Sequence, residues 1–165
     1  MTGALSLSTE FDRAKVANAA QGGYHIHTGN TIVDFIYPIF EGTAARVEGG
    51  KSSGKTTLGL NAVKRFLATS DNCHVVYFTS STSEAQKAIH FLAASPKRFL
   101  TIVPKDPGSD SSVYLNILAT AKQAIDLKSQ GKRVMVVIDN LQSPLTASLQ
   151  ISKDLGSIFV WQPII

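Results

Sequence analysis

Residues 49–56 read Gly-Gly-Lys-Ser-Ser-Gly-Lys-Thr, and no other segment restricts the possible folds as tightly. Gly49, Gly50 and Gly54 let consecutive backbone N–H groups point inward, a conformation open mainly to glycine. A helically spaced apolar run follows at once, with Leu58, Leu60, Ala62, Val63, Phe66 and Leu67, and predicts a helix over 55–68. Residues 44–48 lead in as a short extended stretch. The order is strand, glycine loop, helix, and an anion held by the loop would face the positive end of that helix.

This pattern predicts a phosphate-cradling loop of the P-loop class. The expected cofactor contacts are Gly49, Gly50, Ser52, Ser53, Gly54, Lys55, Thr56 and Thr57. Lys55 would reach the outer phosphates as a point charge, the Thr56 hydroxyl would ligate Mg²⁺, and Thr57 could add a bond to a phosphate. A glycine-rich turn with no ligand can have the same composition, so an independent marker is needed. It is a carboxylate after an apolar strand, able to hold Mg²⁺ through water. Val134-Met135-Val136-Val137-Ile138 runs straight into Asp139. A strand that ends in Asp is by itself commonly a turn or a helix cap. Taken with Lys55, the pair Thr56 and Asp139 become the expected metal residues, and the expected cofactor is ATP or ADP with Mg²⁺.

The rest of the chain alternates between strand and helix patterns. Residues 73–78, Cys-His-Val-Val-Tyr-Phe, form an uncharged β-branched and aromatic run, as a strand buried on both faces should. Residues 84–94 read as a helix with N-caps available at 81–83. Residues 99–103 read as a strand closed by Pro104 and by Asp106-Pro107-Gly108, and 112–129 as the longest helix, with Gly131 past its end. The strand at 134–138 follows, and 157–161 can add another. This alternation predicts an α/β fold, a mostly parallel sheet with helices on both faces joined by right-handed crossovers. Residues 1–23 have a weak pattern ending in Gly22-Gly23 and are expected to form an N-terminal arm, leaving 24–165 as one P-loop nucleotide-binding domain.

Composition excludes several classes. With 44% hydrophobic and 17% charged residues over 165 positions, the chain matches a globular domain. Its 16 basic and 12 acidic residues give +4, and the basic residues are scattered, so nucleic acid is possible but not indicated. Cys73 is the single cysteine, so no internal disulfide and no Cys/His metal cluster can be built, and a reducing compartment fits. The uncharged stretches are too short to span a bilayer, and 1–9 lacks the features of a secretory signal. His25 and His27 flank Ile26 on an extended segment without a carboxylate at metal-site spacing, and read as ordinary polar positions. Phe159 and Trp161 predict that residues 158–165 pack on the core or on a partner.

The stretch His27-Thr28-Gly29-Asn30-Thr31-Ile32-Val33-Asp34-Phe35-Ile36-Tyr37-Pro38-Ile39 resembles the lead-in to the phosphate loop in alpha and beta subunits of rotary ATP synthases. Those subunits have a Thr-Gly, an apolar-Asp pair and a Pro-Ile before a glycine turn, filled here by Gly42. Similarity continues through Val75-Val76-Tyr77-Phe78, Leu100-Thr101-Ile102-Val103 and Val136-Val137-Ile138-Asp139-Asn140-Leu141, where Asp-Asn is similar to the beta subunit. The wording Ser52-Ser53-Gly54-Lys55-Thr56-Thr57-Leu58 is closer to RecA-type recombinases, which share that core. The resemblance therefore implies a RecA-like P-loop NTPase core over about 24–141.

Departures from the family bear on activity. Neither the N-terminal β-barrel nor the C-terminal helical domain has a counterpart, which predicts a bare nucleotide-binding core. In the family a glutamate after the second strand orients the attacking water; here residues 79–83 are Thr-Ser-Ser-Thr-Ser, and Glu84 is the first carboxylate. Glu84 is the one candidate catalytic residue, though a first-turn glutamate commonly complements the helix dipole. The family's arginine finger comes from beyond the metal-binding strand, and no arginine follows Arg133. Glu48 is a carboxylate beside the phosphates that must turn away or pair with Lys51. The resemblance implies a non-catalytic or weakly catalytic nucleotide-binding subunit, an accessory or structural component among protein subunits of a larger, mitochondrial assembly. The alternative is an active RecA-type ATPase acting as an oligomer on nucleic acid or protein, with Lys87, Lys97, Arg98 and Lys105 as a modest basic face.

Overall fold

A computed structural model describes residues 6–7, 24–94, 96–140, 142 and 144–145, and these divide between Phe66 and Leu67 into two units. The first unit contains β1 (Ser6–Leu7), β2 (His25–Ile26), α1 (Thr31–Ile36), β3 (Ile39–Phe40), β4 (Val47–Glu48) and the beginning of α2 (Lys55–Thr69). β1 pairs antiparallel with β4, Leu7 opposite Val47, and β2 pairs antiparallel with β3, Ile26 opposite Ile39. The short extended stretch expected before the glycine loop is present as β4, and its pairing is antiparallel. β4 has two residues, Val47 and the charged Glu48, with Arg46 just before it, whereas a strand inside a parallel sheet is covered on both faces and is apolar throughout.

Polar side chains organise the lead-in to the loop. Asn30 caps α1, its side-chain oxygen accepting the N–H groups of Ile32 and Val33 at 3.0 and 3.3 Å. Asp34, in the first turn, reaches back: Oδ1 accepts the Thr28 N–H and hydroxyl, both at 2.7 Å, and Oδ2 accepts the Gly29 N–H at 3.3 Å. Gly29 has φ +83°, and a Cβ there would collide with the Arg65 guanidinium on α2. Burial pushes the Asp34 carboxyl up, but the bonds from Thr28 and Gly29 and the charge of His27 outweigh it and hold the group below its ordinary value.

In the second unit, β5 (Cys73–Thr79), α3 (Thr82–Phe91), β6 (Phe99–Ile102), α4 (Asp110–Ser129) and β7 (Arg133–Asp139) alternate as the sequence predicts. They form a parallel three-stranded sheet in the order β6-β5-β7. The register sets Tyr77 opposite Thr101 and Val137, and Phe78 opposite Ile102 and Ile138. Every β5 residue except His74 is buried. α3 packs on β5 and β6, and α4 on β5 and β7. Phe78 and Val113 form a fully buried pair, with Ile102, Tyr114 and Ile117 against them. Ser109 caps α4 through the Ser112 N–H. Gly131, at φ +76°, ends it: its N–H bonds to the Lys128 carbonyl at 2.9 Å, and the Lys132 N–H to the Leu127 carbonyl at 3.1 Å.

The fold is mixed α/β with a parallel sheet and helices, compatible with a P-loop core. The expected strand at 157–161, the packing of 158–165 and, apart from Ser6 and Leu7, the arm over 1–23 lie outside the described residues. Among the described residues no helix is long and apolar enough to cross a membrane.

Asp34 gives a pH-dependent prediction. Because its folded pKa lies below the unfolded one, its stabilisation is complete above the ordinary carboxylate value of about 4 and is lost as pH falls through the folded value. Asp34→Ala should cost about 2–3 kcal/mol at neutral pH in denaturant unfolding and remove that part of the acid dependence.

Candidate functional site

The glycine loop is built around the Lys55 ammonium. Its Nζ donates to the carbonyls of Gly49 at 2.8 Å and Gly50 at 2.6 Å, and to the Ser53 hydroxyl at 3.4 Å, which uses its three donors. The Ser53 N–H closes a turn onto the Gly50 carbonyl at 3.3 Å. Ser52 and Gly54 take left-handed backbone, φ +61° and +91°, and the Leu58 N–H begins the α2 ladder on the Gly54 carbonyl. Glu48 pairs with Arg46, two residues back on the same extended stretch, and not with Lys51. The potential repulsion beside the loop is thereby offset within β4's own neighbourhood.

The loop fits a phosphate on the chemistry of its donors. Gly50 and Gly54 border open space, since a Cβ at either meets nothing within 4 Å. Gly50, Lys51, Ser52, Gly54 and Thr57 are exposed, and Gly49, Ser53, Lys55 and Thr56 are half-buried. The first N–H groups of α2 lack acceptors within the helix by geometry alone. An arriving phosphate oxygen would replace loop carbonyls as the partner of Lys55, exchanging dipoles for a full charge.

Asp139 closes β7 in the second unit. Its Oδ2 accepts the Tyr77 hydroxyl at 2.6 Å, and its Oδ1 accepts the Asn140 N–H at 3.0 Å. Asn140 has φ +63°, and its own Oδ1 accepts the Gln142 N–H at 3.0 Å. Burial first, then the bond and charge of Asp139, then the charge of Glu84, push the Tyr77 hydroxyl far above its ordinary value, so it remains a donor at any working pH. Sequence reasoning singled out Asp139 and missed Tyr77. A tyrosine inside an apolar strand reads as core, and the one available signal was that a buried phenol needs a partner.

Glu84 lies in the first turn of α3, its N–H on the capping Ser81 hydroxyl at 3.3 Å and its carboxylate 2.8 Å from Lys87 Nζ. Ser81 does the capping, and the Glu84 carboxylate lies in the first turn, where a negative charge complements the helix dipole. The expected basic face is partly committed to internal contacts. Lys87 pairs with Glu84, and the Arg98 guanidinium donates to the carbonyls of Leu67 and Ser70, both at 2.8 Å. One sequence reading is corrected: His27 has a carboxylate partner, Asp34, with Nδ1 3.7 Å from Oδ2, because α1 folds Asp34 back onto the strand. Among the described residues no three His, Cys, Asp or Glu side chains are grouped to hold a metal.

No protein-family model matches the chain. The chain is 22% identical over 129 residues to ATP synthase subunit alpha 2 of Gluconobacter oxydans, covering 77% of this chain and 25% of that protein. It is 26% identical over 140 residues to ATP synthase subunit beta 2 of Mycoplasmopsis pulmonis, covering 79% and 30%. It is 28% identical over 120 residues to ATP synthase subunit alpha 1 of Hahella chejuensis, covering 72% and 24%. The chain is a distant relative of ATP synthase alpha and beta subunits and spans about a quarter of the length of those it matches.

The loop's backbone makes a discriminating prediction. Gly54→Ala forces a Cβ into left-handed backbone and should cost about 1–2 kcal/mol in denaturant unfolding, while Gly50→Ala, with open space and no such φ, should cost under about 0.5.

Proposed function

We propose that this chain is a nucleotide-binding subunit with a RecA-like P-loop core, which holds ATP or ADP with Mg²⁺ as an accessory or structural component of a larger assembly. The observation that carries this reading is the Lys55 ammonium seated at the centre of a preformed glycine loop that opens α2. Distant similarity to ATP synthase alpha and beta subunits supports the same choice of ligand and of protein partners. A mitochondrial setting rests on the resemblance alone.

In this reading, Gly49, Gly50, Ser52, Ser53 and Gly54 surround the phosphates with backbone N–H groups. Lys55 supplies the cation, Thr57 a hydroxyl, and Thr56 a ligand for the metal. Bound Mg²⁺ would neutralise phosphate charge. These are ground-state contacts, sufficient for binding. Rate acceleration needs groups that act in the transition state. Glu84, the candidate base, is engaged by Lys87 at 2.8 Å, which ties up the carboxylate that would orient an attacking water. The subunit is therefore non-catalytic or weakly catalytic.

Calorimetry of the purified chain should detect Mg–ATP or Mg–ADP binding that Lys55→Ala weakens at least tenfold. A folded sample with no nucleotide affinity would sink the reading. Single-turnover ATP cleavage, alone and in the native assembly, should be negligible. Robust cleavage abolished by both Lys55→Ala and Glu84→Gln would instead make Glu84 the base of an active ATPase.

A further inference from the structure

Residues 49–70 contain no acidic residue, against Lys51, Lys55, Lys64 and Arg65. The glycine loop and the helix it opens thus carry only positive side-chain charge. Glu48, the last carboxylate before the loop, is paired with Arg46. Lys55 is drawn inward, with its three donors on the Gly49 and Gly50 carbonyls and the Ser53 hydroxyl. Lys51 is placed differently. It is exposed, and among the described residues it has no hydrogen-bond or ion-pair partner.

The backbone accounts for that position. The Ser53 N–H bonds to the Gly50 carbonyl at 3.3 Å, so residues 50–53 form a turn with Lys51 and Ser52 at its centre. Ser52, at φ +61°, is the third residue of this turn, where a left-handed backbone is ordinarily supplied by glycine. Keeping a side chain there costs conformational energy, and residues held in such conformations gather at ligand clamps. The turn puts Lys51 at the corner of the loop, between Gly50 and Gly54, both of which border open space. A lysine carries its charge on a flexible four-carbon stem, so from that corner the ammonium can follow an anion seated in the loop.

The two lysines of the loop answer to different parts of a ligand. Lys55 must give up loop carbonyls for whichever phosphate enters the cradle, and its gain is the same for every ligand that fills it. Lys51 gives up only water, so its contribution grows with the negative charge that a ligand brings beyond the cradle. A nucleoside triphosphate brings one phosphate more than a diphosphate. At contact distance in water, one pair of opposite unit charges is worth about a fivefold change in affinity.

We propose that Lys51 is a specificity-determining cation of the loop that pairs with the terminal phosphate of a nucleoside triphosphate, so that the site favours a triphosphate over a diphosphate. This rests on the reading that the glycine loop binds a nucleotide. Lys51 adds to that reading which nucleotide is held.

The test is calorimetric titration of the full chain in Mg²⁺ with ADP and with a non-hydrolysable ATP analogue. Native protein, Lys51→Gln and Lys51→Arg are compared, with circular dichroism as the check of folding. Native protein should bind the analogue more tightly than ADP. Lys51→Gln should lower the ratio of the two affinities about fivefold, chiefly by weakening the analogue, and Lys51→Arg should keep the native ratio. Equal affinity of native protein for the two ligands, an unchanged ratio in Lys51→Gln, or an equal loss for both ligands overturns the role of Lys51 while leaving nucleotide binding intact. A Lys51→Gln chain that fails to fold overturns it as well, because the ammonium would then be holding the loop itself. Native protein with affinity for neither ligand overturns the underlying reading and this inference with it.

Discussion

The second unit depends on one constraint: β5 is buried along almost its whole length, so its backbone groups must find partners on both edges. β6 and β7 supply them in parallel, and parallel neighbours require crossovers long enough to return the chain to the same end. α3 and α4 are those crossovers. Their apolar sides then have a sheet to cover, and Phe78 with Val113 becomes the buried centre. The same register decides which side chains meet at the carboxyl ends of the strands, where ligands of open α/β sheets bind.

In the first unit the organising forces are polar. Asp34 collects three donors from Thr28 and Gly29, and Lys55 collects the carbonyls of Gly49 and Gly50 with the Ser53 hydroxyl. Both are charged groups held by backbone, which shapes irregular chain without an extensive apolar core. Lys55 in particular acts as the loop's internal tie, drawing the Gly49 and Gly50 carbonyls and the Ser53 hydroxyl onto one ammonium. The left-handed conformations at Ser52 and Gly54 belong to the same arrangement.

Much of this was legible in the chain itself. The helix from Lys55, the strands from Cys73 and Phe99, the helix capped by Ser109 and ended by Gly131, and the strand ending in Asp139 all follow from periodicity, β-branched runs and caps. Local signals suffice there because each element is long and uniform in pattern. α1 was not legible, since it has six residues and leaves Ile32, Phe35 and Ile36 exposed, without the apolar stripe that marks a packed helix. The pairing of Val47–Glu48 with Ser6–Leu7 was not legible either, because two-residue strands have no usable period and their partners are far apart in sequence.

The sequence by itself determined the chemistry available: a glycine loop with its lysine, and an aspartate after an apolar strand. Those are matters of residue type and local spacing, which a chain states directly. Only tertiary structure decided which charges are already engaged. His27 belongs to Asp34, brought back to it by α1, and the Asp139 carboxylate to Tyr77, 62 residues earlier in the chain. Hydrogen bonds and ion pairs act over a few ångströms, and for Tyr77 and Asp139 that proximity is set by strand register, which no local pattern encodes.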